Sequence, residues 1–178
     1  LDLEGASAWY RLLIAEAEDA DPLLSTSSYS TRARVGLARC LAGGEHPSDT
    51  ALEEAEGHLR MIVDGRGVVG PEAPEYREAM FQLGRVLYAR HKWPEAGEVR
   101  ETTLKRYAGD VRAPEFSARA GLAWAALAGD ATAQLEQTPL SPSHRANVEA
   151  AHGEALEASI ERLKPDPCLR TVPFLCTR

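Results

Sequence analysis

The sequence predicts an all-α protein, and three observations support this fold class. Alanine and leucine, which are strong helix formers, are abundant, whereas β-branched residues are sparse. Apolar residues recur at the spacing of amphipathic helices in one segment after another. Breaks rich in glycine and proline, such as Gly43-Gly44 and Lys164-Pro165, separate these segments. With 178 residues, the chain is long enough for one domain with a hydrophobic core and short for two.

Start and end signals place the helices along the chain. Asp21-Pro22 ends the first helix, since the residue before a proline avoids the helical region. Ser48 or Asp49 caps the third helix, and Pro94 fits the first turn of the fifth. Gly129 is expected to end the sixth helix and to separate it from a short seventh. The predicted helices span about residues 5–18, 29–41, 49–63, 74–90, 94–107, 114–127, 131–137 and 143–163.

Composition limits the classes of partner. The formal net charge is −7, whereas a nucleic-acid-binding surface usually leaves a basic footprint. No apolar run approaches the roughly 18 residues that span a bilayer, and no signal peptide is visible. We therefore expect no nucleic-acid partner and no membrane span in this segment. Because the chain begins at Leu1 rather than at a methionine, we expect a processed or excised segment.

The three cysteines give two separate expectations. Cys40 lies in an apolar helical stretch and should fill the core as a small hydrophobic residue. Cys168 and Cys176 lie in a proline-containing tail, residues 165–178, which is predicted to be irregular. A disulfide between them would indicate an oxidising compartment, and the alternative of two free thiols stays open.

The segment from Tyr76 to Tyr107 carries the most informative pattern. Two amphipathic helices are joined by a corner at His91–Trp93, with Leu83-Gly84 inside the first helix and Ala96 just after the corner. This arrangement resembles a tetratricopeptide repeat, whose signature is Trp-x2-Leu-Gly-x2-Tyr, then Ala-x3-Phe and Pro, over about 34 residues. Leu83, Gly84 and Ala96 match that signature, whereas Met80, Leu87, Arg100 and Ala108 stand at its Trp, Tyr, Phe and Pro positions.

Weaker copies of the pattern flank this segment, at Val35-Gly36 and at Ala120-Gly121. The resemblance implies a right-handed α-solenoid of antiparallel helix pairs with a C-terminal capping helix. At least three units must stack, because one unit cannot bury both of its faces. An unrelated helical bundle is the alternative. The predicted repeat domain spans residues 1–164, with units at about 5–22 (partial), 29–64, 76–108 and 114–137, and the cap at 143–163.

The resemblance also implies a binding face. Solenoids of this kind bind a peptide or a partner protein on the concave face, which the first helix of each pair lines. Arginines on that face would suit an acidic or carboxylate-ended ligand through charge-assisted hydrogen bonds. Alternatively, they are solvated or paired with Glu78 and Glu115. The predicted binding residues are Arg34, Phe81, Gln82, Arg85, Tyr88 and Arg119.

Two other patterns resemble known binding-site motifs, but neither leads us to expect a site here. Gly65–Gly70 reads Gly-x-Gly-x-x-Gly, but a dinucleotide site requires a preceding strand, and here a helix precedes a loop. The last helix, which Ser141 or Ser143 caps, carries Glu149 and His152 three residues apart on one face. Helical di-metal proteins use this spacing but need a second such pair, which the sequence lacks.

The sequence therefore predicts a non-enzymatic scaffold that binds a protein or peptide partner, acidic if arginines line the groove, with no cofactor. No serine cluster is linked to a histidine as a nucleophilic enzyme requires. Self-association stays open. The alternatives are a helical metal-binding or catalytic bundle around Glu149 and His152, and a regulatory domain of a larger enzyme. The degenerate repeats are similar to those of bacterial cell-envelope proteins, so both the cytoplasm and the envelope stay open as locations.

Overall fold

The computed structural model describes residues 2–20, 28–65, 69–137 and 140–164. Within these ranges the protein is all-α, with seven helices and no strand, as the sequence predicts. The chain forms two compact units, Leu1–Phe116 and Ser117–Arg178. The helices are α1 (Leu3–Ala20), α2 (Ser28–Leu41), α3 (Asp49–Val63), α4 (Pro74–Ala89), α5 (Trp93–Arg106), α6 (Ala113–Gln137) and α7 (Pro142–Leu163).

The predicted ends of α1 to α5 and of α7 agree with the structure to within about two residues, the usual uncertainty of helix termini. For two helices the sequence left two candidate capping residues, and the structure shows which of the two caps the helix. The hydroxyl of Ser48 accepts a hydrogen bond from the N–H of Ala51 at 3.2 Å. The hydroxyl of Ser141 accepts one from the N–H of His144 at 3.4 Å.

The predicted break at Gly129 is wrong. Helix α6 continues from Ala113 to Gln137, so the short helix predicted at 131–137 is its last part. A glycine inside a helix costs only about 1 kcal/mol relative to alanine, and the flanking residues are largely alanine. Among the described residues, no atom lies within 4 Å of the place where a Cβ of Gly129 would stand. This glycine is therefore an exposed interruption that the helix tolerates.

In the first unit, α1 packs against α2, α2 against α3, α3 against α4, and α4 against α5. Helix α2 also packs against α4, so the two helices predicted to come first in the pairs α2–α3 and α4–α5 are neighbours. Packing of consecutive helices agrees with the predicted all-α fold, and the right-handed solenoid stays a prediction. The most deeply buried side chains include Leu37, Leu59, Leu83 and Leu87.

Helix α1 contacts α2 through a face other than that of its largest apolar residues. Tyr10 and Ile14 pack with the core residues of α2. Three apolar residues at helical spacing in this helix are more than half exposed: Trp9, Leu12 and Leu13. Apolar spacing thus predicts the helix correctly but does not identify the face that it buries.

The corner between α4 and α5 is a Schellman motif. His91 has a φ of 59°, in the left-handed region that residues other than glycine rarely adopt. Its N–H donates to the carbonyl of Tyr88 at 3.1 Å, and the N–H of Lys92 donates to the carbonyl of Leu87 at 2.9 Å. These two bonds define the motif, and they satisfy two of the last carbonyls of α4. The predicted corner at His91–Trp93 is confirmed.

Gly84 lies where α4 meets α5. A Cβ added at Gly84 would stand 3.0 Å from Cγ of Arg100. Arg100 is buried, and its guanidinium lies 4.9 Å from the centre of the Tyr88 ring. This arginine occupies the Phe position of the repeat signature. It fills that space with its aliphatic stem and with a cation–π contact instead of an aromatic ring.

A buried carboxylate joins α3 to the same corner. Glu56, with 6% of its side chain exposed, accepts hydrogen bonds from Arg60 at 2.8 Å, Arg90 at 2.5 Å and Lys92 at 2.9 Å. Burial acts to raise the pKa of Glu56, but these three cations outweigh it and lower the pKa from 4.5 to about 2. Arg60 also pairs with Glu95 of α5. One cluster of charges therefore connects α3, α4 and α5.

The second unit contains α7 and all but the first turn of α6. Gly121 of α6 lies against α7, because an added Cβ would stand 2.7 Å from Cγ of Leu163. Helix α7, predicted as a cap, is thus a packing partner of α6 within this unit. The buried residues of the unit include Ala120, Ala123, Ala128, Val148 and Ala155.

Some expectations lie outside the described residues. These are the pairing of Cys168 with Cys176, the irregular tail at 165–178 and the central part of the loop at Gly65–Gly70. Cys40, which is described, is a half-buried free thiol. None of the described helices combines the length and the apolar character needed to cross a bilayer.

We expect Glu56→Gln to lower the free energy of unfolding at neutral pH by roughly 3 kcal/mol, because it removes a buried carboxylate that three half-buried cations share. The matched control is Glu53→Gln. Glu53 is exposed and reaches Arg90 at 3.7 Å, so its loss should cost less than about 1 kcal/mol. Urea unfolding followed by circular dichroism measures both values. Equal losses would contradict the structural role of Glu56.

The same carboxylate makes stability depend on pH. Its pKa in the folded protein lies below the ordinary value of 4.5, so its contribution is complete above pH 4.5. The contribution is lost as the pH falls from 4.5 to about 2. The stability difference between the parent and Glu56→Gln should therefore shrink over this interval.

We expect Gly84→Leu to destabilise the protein by roughly 1–3 kcal/mol, because the added side chain meets Arg100 in the α4–α5 contact. Gly57→Leu in α3 is the matched control. Nothing among the described residues lies within 4 Å of a Cβ at Gly57, so leucine there should stabilise the helix by up to about 1 kcal/mol. Melting temperatures compare the two variants. If they melt together, the packing of α4 on α5 is not as described.

Candidate functional site

A groove of about 420 Å³ opens in the first unit between α2 and α4. On α2, the residues that line it follow the spacing of one helix face, from Arg32 to Arg39. The first turn of α4, residues of α1 and of the α5–α6 connection complete the wall. The lining residues are Tyr10, Arg32, Val35, Gly36, Arg39, Pro74, Glu75, Arg77, Glu78 and Arg112.

A glycine lets α1 approach α2 at one end of this groove. A Cβ at Gly36 would stand 2.5 Å from the ring of Tyr10, which is too close for any residue with a side chain at this position. The phenol ring therefore lies directly on the backbone of α2. This contact places a phenol beside Arg32 and Arg39, which line the same groove.

Two arginines of α2 extend over the groove, and they differ in whether a carboxylate holds them. Arg32 donates to the carboxylate of Glu75 on α4 at 2.5 Å, and this pair bridges the two helices. Arg39 is exposed, and no hydrogen bond or ion pair holds it within the described residues. Its charge acts on Glu78, whose pKa it helps to lower. Arg39 is therefore available to a ligand without the loss of a contact.

Arg112, in the connection before α6, is fixed much more firmly. Its guanidinium lies 4.0 Å from the centre of the Phe81 ring. Its Nη1 donates to Glu78 at 2.9 Å, and its Nε donates to Asp110 at 3.2 Å. A guanidinium has five N–H donors, so donors remain on Nη2 that no described residue takes up. Arg112 thus presents a positioned donor group at the groove.

Arg77 of α4 and Arg112 share the carboxylate of Asp110, which is 8% exposed. The N–O distance from Arg77 to Asp110 is 3.4 Å. A hydrogen bond from the backbone N–H of Arg112 is the main cause that holds the pKa of Asp110 below its ordinary value. Asp110 therefore stays ionised at neutral pH and keeps the two arginines near each other.

The two glutamates of the groove are also ionised at neutral pH. The hydrogen bond from Arg32 lowers the pKa of Glu75. Burial acts to raise the pKa of Glu78, but hydrogen bonds from Arg112 and from the amide of Gln82 outweigh it and lower that pKa. The site is consequently a mixed array of fixed charges of both signs, with arginines in excess.

None of the six residues predicted from the sequence lines this groove, although two of them support it from behind. Phe81 is buried and carries the guanidinium of Arg112 on its face, and it also stacks on Phe116 with ring centres 4.0 Å apart. Gln82 is buried and donates to Glu78 at 2.7 Å.

The remaining four predicted residues lie elsewhere. Arg85 is exposed and donates to the side chain of Gln82 at 3.1 Å. Tyr88 packs edge-on against Trp93, with ring centres 4.8 Å apart. Arg34 is buried at the α1–α2–α3 contact, and Arg119 lies half-buried on α6 in the second unit. Their role in binding stays a prediction.

Arg34 belongs to a polar network of its own. It donates to Glu18 of α1 at 2.5 Å and to Nδ1 of His58 on α3 at 3.0 Å. An arginine has no acceptor, so Nδ1 of His58 accepts, and the ring is neutral with its proton on Nε2. The Nε2 atom faces Glu54 at 3.9 Å, and Glu54 in turn pairs with Arg11 of α1. The network connects α1, α2 and α3 next to the groove.

The signals used for the prediction explain what was missed. Arg32 and Arg39 of α2 could have been found from their common helix face. Arg112 could not, because it stands in a connection whose path only the tertiary structure shows.

Within the described residues, no group of three or more His, Cys, Asp or Glu side chains could hold a metal ion, and Glu149 and His152 of α7 belong to no such group.

Comparison with known proteins adds no relative. No family model, no curated protein and no solved structure matches the chain.

We expect the His58 network to weaken at mildly acidic pH. Burial, and then the nearby Arg34, lower the pKa of His58 below 6.5. As the pH falls below about 6.5, the unfolded chain binds a proton before the folded chain does, so the free energy of unfolding decreases. Protonation would also remove the acceptor at Nδ1.

The test compares His58→Asn with the parent. Asparagine keeps an acceptor near the place of Nδ1 but does not titrate, so the loss of stability between neutral pH and pH of about 5 should be smaller in this variant. His46→Asn is the control, because His46 lies exposed in a loop. An unchanged pH dependence in His58→Asn would show that His58 is not its source.

Proposed function

We propose that this chain is a non-enzymatic interaction module that binds a polypeptide segment of a partner protein in the groove between α2 and α4. The observation that carries the proposal is this groove itself, which two first helices of successive pairs form. Like the binding face that a tetratricopeptide-like arrangement of the helices implies, the groove is formed by first helices, but other residues than the predicted ones line it. We propose the repeat-like arrangement of the helices together with the binding function.

The dimensions of the groove support a segment rather than a whole folded surface. A volume of about 420 Å³ lies within the range of pockets that enclose small groups or a few side chains. It is open along the face of α2, where Arg32 and Arg39 stand about two helical turns apart. An extended or helical segment could therefore contact both arginines at once.

The chemistry of the wall supports binding rather than catalysis. Each ionisable carboxylate in the groove is held by an arginine, through Arg32 at Glu75 and Arg112 at Glu78. A general acid or base needs a pKa near the operating pH, whereas the pKa values of both glutamates are lowered away from it. Fixed arginines and a phenol are typical of recognition through hydrogen bonds.

The proposed binding residues differ from those predicted from the sequence. A comparison of Arg39 with Arg85 distinguishes the two sets. Arg39 lies in the groove, whereas Arg85 lies outside it on the distal part of α4. Both side chains are exposed and both lie in helices of the first unit. Charge reversal at either position changes the net charge equally.

We expect Arg39→Glu to abolish binding of polypeptide segments, whereas Arg85→Glu leaves it unchanged. A random peptide library is selected on the parent protein, and the recovered peptides are then measured on both variants by fluorescence anisotropy. Melting temperatures check that both variants remain folded. If Arg85→Glu loses binding and Arg39→Glu keeps it, the predicted face is correct and the groove is not the site. If the library yields no binder, the module function is rejected.

A further inference from the structure

The balance of charge in the groove indicates what kind of group it can hold. Four arginines and two glutamates line the groove, and Asp110, which does not line it, pairs with two of these arginines. Counted together, these groups leave one positive charge in excess within the described residues. The whole chain, in contrast, has a net charge of −7. The arginines are Arg32, Arg39, Arg77 and Arg112, and the carboxylates are Glu75, Glu78 and Asp110.

The positive excess is concentrated at two donors. Arg39 has no hydrogen-bonding partner among the described residues, and Arg112 has N–H groups left on Nη2. Stacking on Phe81 and two bonds to carboxylates hold the Arg112 guanidinium in place before any ligand arrives. A ligand group that binds there therefore loses less free energy in ordering the protein.

We propose that the groove recognises a single carboxylate group of an acidic polypeptide segment, and that it discriminates against a phosphoryl group at the same place. This inference rests on the proposed function and specifies its ligand. A carboxylate carries one negative charge and matches the excess in the groove. A phosphoryl group carries about −1.5 to −2 at neutral pH and exceeds it.

The fixed glutamates produce this discrimination. Glu75 and Glu78 are ionised and line the same groove, so a second negative charge on the ligand meets like charges at close range. Removal of one of them should relax the selectivity. Glu75 is the better choice, because its hydrogen bond goes to the largely exposed Arg32, whereas Glu78 helps to hold Arg112 in place.

The test uses three capped peptides in which glycine alternates with glutamate, glutamine or phosphoserine, titrated into the full chain and followed by fluorescence anisotropy. The glutamate peptide should bind at least about tenfold more tightly than the glutamine peptide, since charge-assisted hydrogen bonds are lost in the latter. The phosphoserine peptide should bind no more tightly than the glutamate peptide. Affinity should fall with added salt.

Variants make the test specific to the groove. Arg39→Gln should reduce glutamate binding towards the glutamine level, whereas Arg85→Gln should not. Glu75→Gln should raise the affinity for the phosphoserine peptide more than for the glutamate peptide. Equal binding of glutamate and glutamine peptides would overturn the proposal, and so would phosphoserine binding that is tighter than glutamate binding in the parent.

Failure of this inference can be told from failure of the proposed function. If library peptides bind in an Arg39-dependent way but carry no acidic residue, the interaction module stands and the carboxylate assignment falls. If neither the library nor the glutamate peptide yields binding, both are rejected.

Discussion

The buried carboxylate of Glu56 is the interaction on which the first unit depends. It lies on α3, yet two of its three cationic partners, Arg90 and Lys92, flank the turn that leads from α4 into α5. That turn has a demanding geometry, because His91 adopts a left-handed backbone conformation. The ion cluster therefore fixes where α3 meets the corner, and through the corner it fixes the course of α4.

The groove follows from this constraint and from one glycine. Helix α4 lies beside α2, and Gly36 lets α1 place Tyr10 directly against the backbone of α2. The wall that results is not a row of free cations. Asp110 holds two arginines, Phe81 supports one of them, and Arg39 alone extends without a hydrogen-bonding partner among the described residues. Our proposal that the groove selects a ligand by the number of its charges, and not by their sign alone, rests on this arrangement.

Much of the fold could be predicted from local signals. Helix ends, the Ser48 and Ser141 caps and the His91 corner depend on residues close in sequence, so their chemistry is visible there. Gly129 misled the prediction, because a single glycine costs less than its alanine-rich surroundings contribute. The buried face of α1 was also not predictable, since Trp9, Leu12 and Leu13 look like core residues in any pattern of hydrophobicity.

The candidate site differs in its residues from the face expected from the sequence. Arg32 and Arg39 of α2 line the groove, but Arg34, between them in sequence, is buried against Glu18 and His58. A shift of a few residues along a helix changes the face, and only packing decides which face is open. Arg112 and Asp110 enter the groove from a connection, which no periodicity describes.

The most direct test of this account is a map of amide chemical-shift changes when the acidic peptide binds to the isotope-labelled chain. The account predicts that the changes concentrate on residues 32–39 of α2, residues 75–78 of α4 and the connection around Arg112. Changes concentrated instead on Phe81 to Tyr88, or on α6 around Arg119, would contradict it and would place binding on the face predicted from the sequence.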